Sequence, residues 1–178
     1  MIAIRYNHLC AHEIHNKLFQ GFIRTQNVNK CWRKENNQWI LKDDPFIDDW
    51  TEQDYQDLIV HLRYIIATKG LVYAAFSGKQ LKGFVAVAAN LFGDAQTYLD
   101  MTELYVSQDM RRCGIGSALF AFAKEWAKQN GAKKLYISAH SAFETQEFYR
   151  KMGCVEAAFY HQKHIQIEPY DCQLECVL

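Results

Sequence analysis

The sequence predicts a mixed α+β fold in which helices pack on a mostly antiparallel sheet. Three segments of strand type, 71–76, 81–89 and 97–106, follow one another, and polar residues separate the first two as in a hairpin. The apolar residues then change to a helical period, after which a strand, a second helix and two closing strands follow. Elements in this order form layers around a hydrophobic core.

Each element is predicted from its local pattern of apolar residues and terminators. Thr51 followed by Asp54 has the form of a helix cap, because this pair can satisfy exposed backbone N–H groups. Gly70, Gly131 and Gly153 stand where helical periodicity stops. Strands are predicted at 2–6, 71–76, 81–89, 97–106, 133–138, 154–160 and 168–177, and helices at 12–20, 51–69, 114–130 and 143–152.

Length and composition limit the class of protein. A chain of 178 residues fits one hydrophobic core, so we expect a single domain over 1–178. Lys plus Arg and Asp plus Glu both number 20, which argues against a nucleic-acid partner. No signal-type leader is apparent, and the best apolar run, 84–89, is too short to span a bilayer. We therefore expect a cytoplasmic protein with no membrane partner.

The six cysteines do not form a metal-binding pattern. They contain no CxxC pair, and Cys172 and Cys176 have only His161 and His164 nearby in sequence. No four-ligand spacing results, so we expect reduced thiols and no metal.

Residues 104–117 carry the strongest functional signal, because a strand runs through a basic, glycine-containing loop directly into a helix. The first turn of a helix has unpaired N–H groups and a partial positive charge, which favours an anion. Gly114 and Gly116 leave that backbone accessible, and Arg111 and Arg112 add positive charge. The segment therefore predicts a phosphate-binding site.

The spacing within this loop identifies a family. A dinucleotide fingerprint would need glycine at Leu119, and the Gly-Lys-Ser/Thr ending of a P-loop is absent. Arg111-x-x-Gly114-x-Gly116 instead resembles the pyrophosphate signature of the GNAT superfamily of acyl-CoA-dependent N-acyltransferases. Residues 148–154 resemble the Phe-Tyr-x-x-x-Gly helix end of that family, with Cys154 replacing the usual aromatic. The resemblance covers about 71–160, in the correct order.

The resemblance implies a sheet that splays between the family's fourth and fifth strands, here 97–106 and 133–138. It also implies acetyl-CoA as co-substrate, with the backbone of Leu104, Tyr105 and Val106 holding the pantetheine arm and polarising the thioester. The pyrophosphate would be held by Arg111, Arg112, Cys113, Gly114, Ile115, Gly116 and Ser117.

The resemblance also implies catalytic roles. Tyr149 matches the tyrosine that often protonates the departing thiolate, although it can also be an ordinary core tyrosine. Glu103 and Asp100 are the candidate bases, and their odd spacing places them on opposite faces of an ideal strand. Glu103 is preferred because it lies nearer the splay, and either carboxylate can instead be a solvated or paired surface group.

One part of the family pattern is missing. Where many relatives carry an asparagine that contacts the coenzyme, this chain has Ser-Ala-His-Ser-Ala-Phe at 138–143. His140 or Ser141 substitutes for it, or the contact is lost. A covalent route through Cys113 ranks behind direct transfer, because no adjacent histidine can serve as its base.

The acceptor is expected to be a primary amine on a small molecule or a peptide. The acidic residues of 43–57 can attract a cationic amine or simply favour the start of a helix. An aromatic-rich excursion at about 27–50 is expected to be ordered but irregular, and it can cover the substrate entrance. A non-catalytic acyl-CoA sensor is the alternative function, and a homodimer is left open.

Overall fold

The computed structural model describes residues 3–178. Four short 3-10 turns lie at 11–13, 16–19, 94–96 and 108–110. The strands are β1 (Ile4–His8), β2 (Gln26–Glu35), β3 (Gln38–Asp48), β4 (Leu71–Ser77), β5 (Gln80–Val87), β6 (Tyr98–Val106), β7 (Lys134–Ala139), β8 (Val155–Glu156) and β9 (Cys172–Val177). The helices are α1 (Glu52–Ala67), α2 (Ile115–Gln129), α3 (Phe143–Lys151) and α4 (Gln162–Ile167).

Seven strands form the main sheet in the order β1-β4-β5-β6-β7-β9-β8. Every neighbouring pair is antiparallel except β6 and β7, which are parallel. Alternate residues of β4 face two different cores, which contain α1 on one side and α2 on the other. The predicted fold class, a mostly antiparallel sheet with helices on both faces, is therefore confirmed.

Each core is built by the apolar stripe of one helix. Leu58, Leu62 and Ile65 of α1 are buried against one face of the sheet, and Ile115 and Leu119 of α2 are buried against the other. Burying a side chain of this size contributes about 1.5–3 kcal/mol each.

The helix α2 lies unusually close to β5 because Gly83 has no side chain. A Cβ at Gly83 would come within 2.8 Å of Ile115 Cγ2 and 3.0 Å of Leu119 Cδ1. This close packing fixes the start of α2 beside the end of β6, since Gly83 pairs with Val106.

The sheet opens between β6 and β7. These strands pair only at Tyr98–Lys134, Leu99–Leu135 and Asp100–Tyr136. Beyond Asp100, β6 keeps its pairing with β5 on one edge, while β7 stays paired with β9. A wedge-shaped gap therefore separates the two strands from Met101 onward, which confirms the splay implied by the resemblance.

Three predicted elements differ near the chain ends. The helix expected at 12–20 is wrong, because Ile14 adopts an extended conformation and buries its side chain between two 3-10 turns. The closing strands at 154–160 and 168–177 shorten to β8 and β9, with α4 between them. Six residues are too few for a helical period to be recognised in α4. The predicted first strand, 2–6, begins outside the described residues and is found as β1.

The excursion at 27–50 is regular rather than irregular, and this part of the prediction is wrong. It forms an antiparallel ribbon of β2 and β3, joined by Asn36 and Asn37 with φ of 49° and 61°. Asparagine tolerates this left-handed conformation, which the tight turn of a two-residue hairpin requires.

The ribbon docks at the junction of β7 and α3. The Trp32 amide donates to the Ser141 carbonyl at 2.8 Å, and the Arg33 guanidinium donates to Ser141 Oγ at 2.6 Å. Trp39 Nε1 donates to Glu156 at 3.0 Å. These contacts place the ribbon on the β7 side of the gap.

Candidate active site

The loop between β6 and α2 presents a row of free backbone amides. Within residues 3–178, no carbonyl or side chain accepts a hydrogen bond from the amides of 112–117. Arg112 and Gly114 have φ of 62° and 82°, so the chain turns sharply into the first turn of α2. Gly114 is exposed, and a Cβ there would meet no atom within 4 Å. This geometry fits a bound diphosphate.

Buried polar contacts hold the loop in place. Lys82, almost fully buried in β5, donates to Asp109 Oδ2 at 2.6 Å, and Ser107 Oγ donates to Asp109 Oδ1 at 2.5 Å. The Arg111 guanidinium donates to the carbonyls of Val106 at 3.2 Å and Arg24 at 3.0 Å. Arg111 thus ties the loop to its neighbours, whereas Arg112 and Cys113 are exposed.

A bulge in β6 brings the two candidate carboxylates to the same face. Ala86 of β5 pairs with Glu103 and Val87 pairs with Met101, so Thr102 is an extra residue in β6. Because of this insertion, Met101 and Leu104 both pack toward the α2 core, and Asp100 and Glu103 both face the other way. The expectation of opposite faces, which holds for an ideal strand, is wrong for this reason.

The two carboxylates differ in how they are paired. Asp100 Oδ2 lies 2.7 Å from His164 Nε2, and this hydrogen bond raises the pKa of His164. The Asp100 Oδ1 atom is buried and has no partner among the described residues. No donor of the described residues hydrogen-bonds Glu103, and the imidazole Nε2 of His61 lies 3.7 Å from its Oε1. The carboxylate of Asp100 is therefore held by its hydrogen bond to His164, whereas that of Glu103 is free to exchange a proton.

Burial makes Glu103 a weak acid. Desolvation, with a smaller contribution from the charge of Asp100, raises the pKa of Glu103 from 4.5 to about 8, and Arg24 opposes this shift. A carboxylate with a pKa near the working pH is well matched to general-base chemistry. This property distinguishes Glu103 from an ordinary surface carboxylate.

Tyr149 is buried in the α2 core beside Phe120 and Phe148. Burial raises the pKa of Tyr149 above its usual range, and the charges of Glu103 and Asp171 act in the same direction. Its hydroxyl has no hydrogen-bond partner within residues 3–178. The phenol therefore stays protonated and retains its donor capacity.

Two residues at the gap, Arg24 and Asp171, were not identified from the sequence. The guanidinium of Arg24 packs against the rings of Trp50 and Tyr105, 5.0 and 4.9 Å from their centroids, and pairs with Asp48 at 2.5 Å. Across the gap, burial raises the pKa of Asp171 to about 6. Arg24 and Asp171 come from distant parts of the chain, and no local pattern marks them.

The residues expected near the missing asparagine have structural partners. His140 Nδ1 accepts from the Ala142 amide at 3.1 Å, at the start of α3, and buried Ser141 binds the β2–β3 ribbon. A coenzyme contact by Ser141 stays a prediction. Most acidic residues of 43–57 are likewise engaged locally, as in the Thr51–Asp54 cap, and Asp48 pairs with Arg24 beside the gap.

In residues 3–178, no helix has the length and apolar character needed to cross a bilayer. The same residues contain no group of three or more His, Cys, Asp or Glu side chains arranged to hold a metal ion.

Replacing Glu103 is expected to change the pH dependence of stability. The folded protein holds the Glu103 proton up to about pH 8, whereas the unfolded chain loses it near 4.5, so stability falls as pH rises through this window. Glu103→Gln removes this loss and should raise the free energy of unfolding above pH 8 by up to about 5 kcal/mol, at about 1.4 kcal/mol per pKa unit, with little effect near pH 5. Urea denaturation at both pH values measures the difference.

Glu125→Gln, an exposed change on α2, is the control and should follow the wild type at both pH values. Parallel pH profiles for Glu103→Gln and the wild type would contradict the raised pKa.

Comparisons with known proteins agree with this geometry. Residues 33–154 match the model of the acetyltransferase (GNAT) family. The chain is 25% identical over 148 residues to an uncharacterized N-acetyltransferase of Methanocaldococcus jannaschii, a match that covers 81% of this chain and 54% of that protein. The chain therefore spans about half the length of this relative.

Two crystal structures show the same fold. One is a Bacillus anthracis protein assigned as a streptothricin acetyltransferase, in complex with acetyl coenzyme A, with a TM-score of 0.70, 18% identity and coverage of 97% and 96% of the two chains. The other is the PaiA N-acetyltransferase of Thermoplasma acidophilum in complex with coenzyme A, with a TM-score of 0.60, 13% identity and 99% coverage of both. Because the family model spans more than half of the sequence and the fold agrees, the chain belongs to the GNAT acetyltransferase family.

Proposed function

We propose that this chain transfers an acetyl group from acetyl-CoA to a primary amine by direct attack in a ternary complex. One observation carries the proposal: the gap beside β6 leads directly to the free amides of 112–117. A thioester carrier such as acetyl-CoA needs both features. Its diphosphate requires hydrogen-bond donors, and its acyl end must enter the gap in the sheet. We also propose that residues 1–178 act as one catalytic domain.

The coenzyme site extends along β6. The unpaired edge of β6 at Leu104, Tyr105 and Val106 would bind the pantetheine arm, and the free amides of 112–117 would bind the diphosphate. A backbone N–H of β6 would also donate to the thioester oxygen as it gains negative charge. Such a donor typically contributes about 3 kcal/mol to transition-state stabilisation.

Glu103 is proposed as the general base. It takes a proton from the attacking ammonium group, and the free amine then forms a bond to the acyl carbon. The carbon–sulfur bond breaks, and the second proton lost by the nitrogen passes to the departing thiolate. The raised pKa of Glu103, about 8, supports this role, because the carboxylate is then a stronger base than an ordinary glutamate. Asp100 would assist by holding His164 beside the acceptor face.

Tyr149 is proposed to stabilise the departing thiolate. Its raised pKa keeps the phenol protonated, and this makes complete proton transfer to sulfur less favourable than donation of a strong hydrogen bond. We therefore assign Tyr149 as the hydrogen-bond donor to the leaving sulfur, which is neutralised by the second proton from the attacking nitrogen, so that Tyr149 keeps its own proton.

The charges near the gap favour an acceptor that carries positive charge. Asp100 and Asp171 contribute carboxylates, and Glu103 adds a third once it loses its proton near pH 8, whereas Arg24 and Asp48 neutralise each other. A small-molecule or peptide amine with a second cationic group would gain from this field. The relatives crystallised with acetyl coenzyme A and coenzyme A support the choice of co-substrate.

The decisive experiment for the proposed function uses acetyl-CoA and a panel of mono-amines, polyamines and lysine peptides. We expect a mass increase of one acetyl group on at least one amine, together with release of free coenzyme A. Cationic acceptors should show the higher kcat/KM. Binding of the coenzyme without acetylation of any amine would instead indicate a non-catalytic sensor.

Gly114→Glu is expected to abolish binding of acetyl-CoA. The new carboxylate would lie among the amides that meet the diphosphate, at a left-handed φ of 82°. Calorimetry should show affinity reduced by at least about 100-fold, which corresponds to about 2.7 kcal/mol. Gly78→Glu is the matched control, since Gly78 also has a positive φ, 59°, and open space at its Cβ. Equal affinity of both variants would contradict the diphosphate site.

Tyr149→Phe is expected to retain coenzyme binding while kcat falls by about 10–100-fold, because the leaving sulfur loses its donor. Steady-state kinetics at saturating acceptor measure the loss. Tyr98→Phe serves as a control, because Tyr98 is also buried but donates to Glu175 at 2.5 Å. An unchanged kcat for Tyr149→Phe would remove its role.

A further inference from the structure

We infer that His61 is a positioning residue that relays the proton from Glu103 to solvent. This inference rests on the proposed function, in which Glu103 is the base. The general base must lose its proton before each new turnover. Since Glu103 is largely enclosed, a path for that proton is part of the mechanism.

The position of His61 carries the inference. Its Nε2 lies 3.0 Å from Thr102 Oγ1 and 3.7 Å from Glu103 Oε1. The side chain of His61 is 37% exposed, whereas that of Glu103 is only 17% exposed. His61 therefore touches the enclosed carboxylate on one side and reaches solvent on the other.

The bulge in β6 gives His61 its orientation. Thr102, the inserted residue, hydrogen-bonds the imidazole ring from β6, while α1 supplies the backbone of His61. If the Thr102 hydroxyl donates, Nε2 is the acceptor and the ring proton resides on Nδ1. The same bulge thus turns Glu103 toward the acceptor and holds the imidazole beside it.

The electrostatic surroundings keep His61 neutral before transfer. Burial lowers the pKa of His61, the charge of Lys163 on α4 acts in the same direction, and Asp100 opposes both. Around Glu103, Asp100 on β6 and Arg24 act in opposite directions on its pKa. Burial raises the pKa of Tyr105 and of Tyr149, the charge of Glu103 acts in the same direction, and both phenols stay protonated. A neutral imidazole can accept a proton, as a relay requires.

The proton balance is simple. Glu103, protonated by the attacking amine, gives its proton to His61 Nε2 after a small rotation that closes the 3.7 Å separation. The imidazolium then releases the Nδ1 proton to bulk water, and exchange with water returns the remaining proton from Nε2 to Nδ1, which restores the starting tautomer. Glu103 is again a carboxylate, and no other reactant is needed.

His61→Ala and His61→Gln test the relay, with His8→Ala as the control. His8 lies on β1, three positions from β6 in the sheet order. We measure kcat at saturating acceptor between about pH 6 and 9, with and without added imidazole. The wild type should lose activity as pH falls below about 8, where Glu103 becomes protonated.

His61→Ala should lower kcat by about tenfold, and added imidazole should restore it in proportion to its concentration. His61→Gln keeps a bond to Thr102 but cannot carry a proton, so it should stay slow. His8→Ala should match the wild type, and all variants should bind acetyl-CoA normally.

Full activity of His61→Gln would overturn the relay, because a hydrogen bond alone would then be sufficient. A loss in His61→Ala that imidazole does not restore would overturn it as well. If Glu103→Gln is slow while His61→Ala matches the wild type, only the relay fails. If the wild type acetylates no amine, the proposed function itself fails.

Discussion

The short parallel contact between β6 and β7 is the constraint on which the site depends. Pairing at Tyr98–Asp100 holds the two halves of the sheet together, and its absence beyond Asp100 leaves one edge of β6 free. Exposed strand edges usually attract another strand. Here the edge lies inside the molecule, with β7 and β9 on one side and β5 on the other, so that it is available to a ligand without being open to another chain.

The bulge at Thr102 determines which side chains meet at that edge. A regular strand would place one of the two carboxylates against α2, where an ionised group would be costly to bury. The extra residue lets Met101 and Leu104 both enter the core and turns Asp100 and Glu103 to the opposite face. The burial that raises the pKa of Glu103 therefore opposes stability while it supports the proposed chemistry, a compromise that is common at active sites.

The parts that local pattern determines could be predicted from the sequence. The strands at 71–76, 81–89 and 97–106 and the glycines at 114 and 116 are local features, and the structure contains the corresponding elements. The bulge could not be predicted, because it depends on how β6 pairs with β5. His61 and His164 reach β6, and Asp171 accepts from Ser138 of β7, only in the folded chain, so no spacing relates them. The ribbon of β2 and β3 was missed although Asn36 and Asn37 can form its tight turn.

The polar side chains at the gap also differ in how firmly hydrogen bonds and ion pairs hold them. The buried ammonium of Lys82 pairs with the more exposed carboxylate of Asp109 and fixes the loop, since a buried charge without a partner would be destabilising. Arg24 is held against two rings, and Asp100 is held by His164. Glu103 alone among these has no hydrogen bond from a described residue, so its carboxylate can change protonation state without breaking a structural contact. A rigid frame around one unpaired acid is the arrangement that proton transfer to an incoming amine requires.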